Sequence, residues 1–297
     1  RTIHFPASLT EAENARSRLA FDELFYLQLR LARLRARRRE RPEGNAMAQS
    51  GELVPQLLRD LPFALTAAQE RVVNEIVADM GQSHVMNRLV QGDVGSGKTL
   101  VGLCALLTAV ENGFQAALMA PTEILAEQHF LNIKSLVEPL GLQVILLKGK
   151  QRVSVRRQVQ EALSSGSAHI AVGTHALIQT EVEFARLGLV VIDEQHRFGV
   201  MQRGALYKKG EKPHLLVMTA TPIPRTLALT LYGDLEVSLI DELPPGRKPI
   251  RTARRGVDRR EAIFDFAADQ MRQGRQVYIV YPLVEESEKM DLTSAVE

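Results

Sequence analysis

Cysteine is nearly absent from this chain: Cys104 is the one cysteine in 297 residues. A disulfide framework is therefore excluded, and a cysteine-based zinc site is disfavoured. Cys104 reads as a small core residue, and a reducing, cytoplasmic setting fits. Long apolar runs are missing too. None approaches the ~18 residues that a membrane span needs, so no membrane partner is expected. The opening stretch, "RTIHFPASLTEAENARS", lacks the basic-then-apolar layout of a secretory signal. It also lacks an initiator Met, which reads as a boundary within a longer chain. Charge of one sign is not in excess: the formal net charge is +2, which does not demand a nucleic-acid partner. No repeat and no low-complexity tract stands out.

What is present divides into segments. Length alone suggests about two domains. Residues 1–58 read as a lead-in with one long helix. Thr10 and Glu13 have capping-box spacing, and Leu24, Leu27, Leu31 and Leu34 fall on one helical face. Pro42 and Gly44 stop that helix. Its end, "RLARLRARRRER", holds seven arginines. They suit a phosphate footprint and equally a solvated helix C-terminus.

Residues 59–243 alternate short apolar strands with amphipathic helices. The expected strands are 85–90, 116–120, 144–147, 169–173, 187–193 and 215–220. The expected helices between them are 98–111, 123–138 and 153–164. This order predicts an α/β lobe with a mostly parallel sheet covered by helices on both faces. Its ligand is expected beyond the C-terminal strand ends. Residues 244–257, with Pro244, Pro245 and Pro249, read as a linker. Residues 258–297 read as the start of a second unit, with a helix over 259–272 and a strand over 276–281.

One strand end carries the clearest chemistry. Gly92, Asp93, Val94, Gly95, Ser96, Gly97, Lys98 and Thr99 fit G-x-x-x-x-G-K-[ST]. Glycines let the backbone wrap an anion and turn its N–H groups inward. The helix starting near Lys98 adds its positive end. Lys98 supplies charge for the β- and γ-phosphates of ATP, and the Thr99 hydroxyl suits Mg2+. The apolar run "LGLVVID" delivers Asp193 to another strand end, where it can hold Mg2+ through water. Glu194 can orient or deprotonate an attacking water, and His196 can couple the site to a neighbour. These residues point to a Mg2+-dependent nucleoside triphosphatase.

From here the motifs resemble those of superfamily 2 helicases and translocases, in that family's order across residues 63–227. "FALTAAQ" resembles the Q motif, which implies that Gln69 reads adenine with Phe63 nearby. Thr66 and Gln69 also have capping-box spacing; both uses can hold together. "APTEILAEQH" resembles motif Ia and "VGTHAL" the next DNA-facing motif, so Thr122, Thr174 and His175 are implied backbone contacts, although each also suits a plain helix cap. "TATP" resembles motif III, which implies coupling of hydrolysis to lobe movement through Thr219, Thr221 and Arg225. Gln202 and Arg203, just past motif II, are implied nucleic-acid contacts, and by physics alone equally an exposed helix face. "KGKQRVSVRR" gathers five cations that suit a phosphate contact or a solvated helix start.

"GDVGSGKT", "DEQHRFGVMQR", "TATPIPRTLALT" and "PPGRKPI" together are similar to the RecG family of bacterial branched-DNA translocases. They are also similar to the translocase module of transcription-repair coupling factors; "DEQHRFGV" and the arginine-rich helix favour the former. The resemblance implies two RecA-like lobes closing on ATP. It implies branched double-stranded DNA as partner, a monomeric motor, contact with a single-stranded-DNA-binding protein, and a bacterial, nucleoid-associated location. Arginine fingers from the second lobe would fall beyond Glu297, so this stretch alone is expected to bind nucleotide weakly and turn it over slowly.

Overall fold

The computed structural model describes residues 2–40, 44–47, 51–149, 151–193, 212–221, 235–244 and 250–280. The chain divides into two compact units, Arg1–Arg247 and Lys248–Glu297.

The first unit opens with α1, Leu9–Arg39, about 46 Å long at 1.5 Å per residue. Its start corrects one expectation. The spacing of Thr10 and Glu13 recurs two residues earlier, and that earlier pair is the one used. Ser8 Oγ accepts from Glu11 N at 3.2 Å, and Glu11 Oε2 accepts from Ala7 N at 2.6 Å. Of the predicted leucine face, Leu24 and Leu34 are exposed and Leu27 and Leu31 only half-buried.

Among the described residues seven strands form one sheet: β1 (Asn87–Gly92), β2 (Gln115–Met119), β3 (Val144–Leu147), β4 (Ile170–Gly173), β5 (Leu187–Asp193), β6 (His214–Thr219) and β7 (Glu236–Ile240). Their order is β3-β4-β2-β5-β6-β1-β7, and each neighbouring pair runs parallel. The strands are apolar almost throughout because both faces are covered. Val90, Leu118, Val191 and Met218 face one core; Leu89, Ala117, Val190 and Val217 face the other. That alternation is the two-residue period of a pleated strand.

The first core is closed by α2 (Leu53–Asp60), α3 (Ala67–Met80), α4 (Lys98–Glu111) and α5 (Glu123–Val137). On the other face α6 (Val153–Ser164) contributes Val159 and Leu163. Helix α4, "KTLVGLCALLTAVE", is apolar nearly all round, as a helix enclosed by sheet and neighbours must be. It contains Cys104, fully buried, whose thiol burial pushes up to about 12. Glu111, ending α4, accepts from Glu52 N and Leu53 N and so caps α2.

The expected capping box on α3 forms. Gln69 N donates to Thr66 Oγ1 at 3.2 Å and Thr66 N to Gln69 Oε1 at 2.8 Å. The other end of the sheet is tied to the same helix. Ala68 N donates to Glu242 Oε2, and Arg71 pairs with Asp241 at 2.9 Å, just past β7. The parallel sheet with helices on both faces is a RecA-like lobe.

The second unit holds α7, Arg260–Arg272. The strand expected over 276–281 is not seen over 276–280, the part that is described. A strand exists only through a ladder with a neighbour, and the described part of this unit offers none.

Candidate functional site

The sheet register assembles the candidate site before any side chain is considered. Asp193, ending β5, lies opposite Met218 of β6, and Thr219 of β6 lies opposite Gln91 of β1. The loop after Gly92, the carboxylate of Asp193 and the Thr219–Thr221 turn therefore emerge from three adjacent strands at the C-terminal end of the sheet.

The Gly92–Thr99 loop turns through two left-handed glycines, Gly95 at φ 78° and Gly97 at φ 84°. At Gly97 a side chain is excluded on two counts. Its φ is unfavourable for any L-residue with a Cβ, and that Cβ would stand 2.2 Å from Gln69 Nε2. Gln69 closes on the loop from α3: its Nε2 donates to Ser96 O at 2.8 Å. Lys98 is buried, and its Nζ donates to Gly92 O at 2.7 Å and Asp93 O at 2.9 Å. Its ammonium thus lies inside the loop's curve. Ser96 Oγ is buried and has no hydrogen-bond partner among the described residues. The first N–H groups of α4 lack acceptors within the helix by geometry. A glycine-rich turn, a helix N-terminus and a held ammonium together suit a polyanion.

Beside this loop, Asp193 Oδ2 lies 2.7 Å from His129 Nε2 of α5, and both side chains are largely buried. No residue pattern in the sequence marks His129 as part of the site. What sets it apart is that it is the polar residue in the buried stripe Ala126, His129, Ile133 and Val137 of α5. At the Thr219 end, the Thr219 and Thr221 hydroxyls lie 2.9 Å apart and Gln91 Nε2 donates to Thr221 O at 3.1 Å. That contact binds β1 to the turn after β6.

The predicted residues are not all placed alike. Thr99 is half-buried in the first turn of α4, and Val94 and Phe63 are exposed. Gln69 Oε1 serves the helix cap and Nε2 the loop carbonyl, each by one hydrogen bond, which leaves one acceptor lone pair and one N–H of the amide beyond these two bonds. Thr122 and Thr174 follow the neighbouring strands β2 and β4, which Ala120 N joins by donating to Gly173 O at 2.8 Å. Thr122 caps α5 by accepting from Leu125 N. Thr174 is 2% exposed, and its Oγ1 has no hydrogen-bond partner among the described residues, whereas His175 is exposed. In the basic stretch, Lys148 pairs with Glu127, and Arg157 with Glu161. Those two pairs favour the solvated-helix reading for that stretch. Glu194, His196, Gln202, Arg203 and Arg225 lie outside the described residues.

Residues 66–230 match the DEAD/DEAH box helicase family. The chain belongs to that family. Its curated relatives narrow the likeness. It is 55% identical over 295 residues to the ATP-dependent DNA helicase RecG of Synechocystis, covering 99% of this chain and 36% of the relative. It is 49% identical to the RecG of Streptococcus pneumoniae, covering 100% of this chain and 44% of that protein. A RecG solved bound to a three-way DNA junction superposes with a TM-score of 0.82 at 43% identity, over 95% of this chain and 38% of that one. The DNA-bound helicase MrfA, at 20% identity and a TM-score of 0.58 over 78% of this chain and 36% of that one, shares the fold. The chain is thus similar to RecG along nearly its whole length and spans less than half the length of these relatives.

Proposed function

We propose that this chain is the first motor lobe of an ATP-driven translocase that remodels branched double-stranded DNA, such as stalled forks and four-way junctions, in recombination and repair. The observation that carries the reading is the sheet register, in which Asp193, Thr219 and the glycine loop that holds Lys98 all lie at the same C-terminal end of adjacent strands.

In this reading Gly92–Thr99 is the phosphate loop. Its amides and Lys98 grip the triphosphate, and Gln69 fixes the loop's shape from behind. The residues present fit a magnesium ion. Thr99 supplies a hydroxyl in the first turn of α4, Asp193 supplies a carboxylate, and the buried Ser96 hydroxyl still has hydrogen-bonding capacity to offer. Thr99 and Asp193 would hold the ion, which neutralises phosphate charge when bound. Glu194 follows Asp193 in sequence and is the proposed acceptor of the attacking water's proton. His196, Thr219, Thr221 and Arg225 are the proposed links from nucleotide state to lobe movement. Thr122 and His175 would meet the DNA backbone, with Gln202 and Arg203 acting beyond motif II. Such contacts position a duplex without reading its sequence. The motor is proposed to work as a monomer in the bacterial cytoplasm, at the nucleoid and in contact with single-stranded-DNA-binding protein. No helix among the described residues is long and apolar enough to cross a membrane.

The test is ATP hydrolysis by the complete gene product with single-stranded, duplex and four-way DNA. Stimulation is expected to be strongest with the four-way substrate, and Lys98→Ala is expected to remove it by about 100-fold or more. Equal stimulation by all three DNAs would reject the branched-DNA assignment, and an active Lys98→Ala would reject the site.

A further inference from the structure

We infer that His129 is a positioning residue for the metal-site carboxylate: it holds Asp193 by one oxygen and so sets where the other can act. The inference rests on the reading of Asp193 as the carboxylate that holds magnesium through water.

His129 Nε2 stands 2.7 Å from Asp193 Oδ2, with side-chain exposures of 9% and 14%. A carboxylate accepts only, so Nε2 is the donor and carries a proton. A carboxylate accommodates about four donors; His129 occupies Oδ2 and leaves Oδ1 for the ion's water shell. In so enclosed a place the bond restrains the carboxylate's rotation, and a swing of that group would displace any water it holds. Partners behind metal ligands act in this way and typically change affinity or activity by about 10–100-fold when removed.

The helix that carries His129 is itself pinned. Thr122 caps its N-terminus. Glu123 Oε1 accepts from Gly149 N at 3.1 Å, and Glu127 pairs with Lys148 at 2.6 Å, so the loop after β3 braces its first two turns. Below, Ala126, Ile133 and Val137 anchor it in the core. His129 is therefore presented from a fixed frame, and the bond ties α5 to the end of β5.

The test compares His129→Gln, His129→Asn and His129→Leu in the complete gene product, with Asp193→Asn alongside. Glutamine offers an N–H where Nε2 stood. Asparagine offers one only where Nδ1 stood, and leucine offers none. Two readouts are taken: titration of a fluorescent ATP analogue in EDTA and in magnesium, and kcat against KM with DNA present. His129→Leu and His129→Asn are expected to bind nucleotide as wild type does in EDTA. They should lose most of the affinity gained on adding magnesium, and kcat should fall about 10–100-fold with little change in KM. His129→Gln should recover most of both. Should leucine prevent folding, judged by the melting transition, asparagine against glutamine decides alone. Wild-type behaviour of His129→Asn, or equal loss in Asn and Gln, overturns the positioning role. An Asp193→Asn variant with the full magnesium-dependent gain overturns instead the reading of Asp193, and the inference falls with it.

Discussion

Gln69 joins the start of α3 to the phosphate loop with a single amide: Oε1 accepts from Thr66 N, and Nε2 donates to Ser96 O at 2.8 Å. The helix cap and the loop's shape are thereby one feature. Gly97 lets the amide come close, because any side chain there would occupy the space of Nε2.

The two functions can be separated by substitution. Gln69→Glu keeps an acceptor for Thr66 N but sets a carboxylate oxygen against the Ser96 carbonyl. Gln69→Ala removes both bonds. Gln69→Ala keeps the Thr66 cap, which accepts from the backbone N of residue 69. Gln69→Glu instead buries a carboxylate oxygen against a carbonyl at a position 3% exposed, so Gln69→Glu should melt earlier than Gln69→Ala. Both should weaken nucleotide binding, by about tenfold for one charge-opposed or missing bond near 1.4 kcal/mol. Thermal melting and titration of a fluorescent ATP analogue check the pair. A Gln69→Glu variant with wild-type affinity would show that the latch does not shape the loop.

A second expectation concerns Arg88, a buried cation on β1, the strand next to the edge strand β7. Its guanidinium reaches Asp79 at 2.6 Å and Glu75 at 3.1 Å on α3, and Ser238 Oγ at 2.6 Å on β7. Ser238 in turn donates to Glu75. Arg88 thus joins α3, β1 and the edge strand β7. Arg88→Met keeps much of the volume but leaves two carboxylates without their cation, a loss of about 3 kcal/mol. Arg18→Ala is the control: its exposed partner Asp22 lies one helical turn away, and such a pair is worth about 0.5 kcal/mol or less. Urea unfolding of the two variants should separate by that margin. Equal midpoints would mean that the Arg88 network only compensates for its own burial.

Much of this lobe was legible in the sequence where a single signal settled the matter. β3 and β5 match their expected bounds, as do α4 and α6, because each is an apolar run or stripe bounded by polar turns. β7 was not anticipated. "EVSLI" is short, begins with a charge and pairs on one side only, so its identity as a strand comes from β1 rather than from its own composition. His129 escaped for a related reason. Its position in a helical stripe predicts burial, but its partner lies 64 residues away on another strand. Thr174 shows the converse: the motif resemblance implies a backbone contact, whereas packing after β4 buries the residue. Local pattern gives elements and loops; which polar groups meet is decided by the order of strands in the sheet.

The last expectation is a pH dependence set at the far edge of the sheet by His214. Its Nδ1 accepts from Met86 N at 2.9 Å and its Nε2 lies 2.9 Å from Asn45 O, so the neutral ring with its proton on Nε2 satisfies both. Burial is the main force lowering its pKa below the ordinary value near 6.5; His84 adds to the shift, while the Asn45 carbonyl and Asp79 oppose it. The unfolded chain therefore takes up a proton at a pH where the native ring does not. Stability linked to His214 is complete above about pH 6.5 and is lost as pH falls toward the depressed native value. Protonating Nδ1 also removes the acceptor for Met86 N. Urea midpoints measured from pH 7.5 down to pH 5 should fall in the wild type. In His214→Asn, whose amide oxygen can replace Nδ1 as acceptor, the fall should be shallower, since the remaining histidines are common to both. Parallel curves would show that another group carries the acid sensitivity of this lobe.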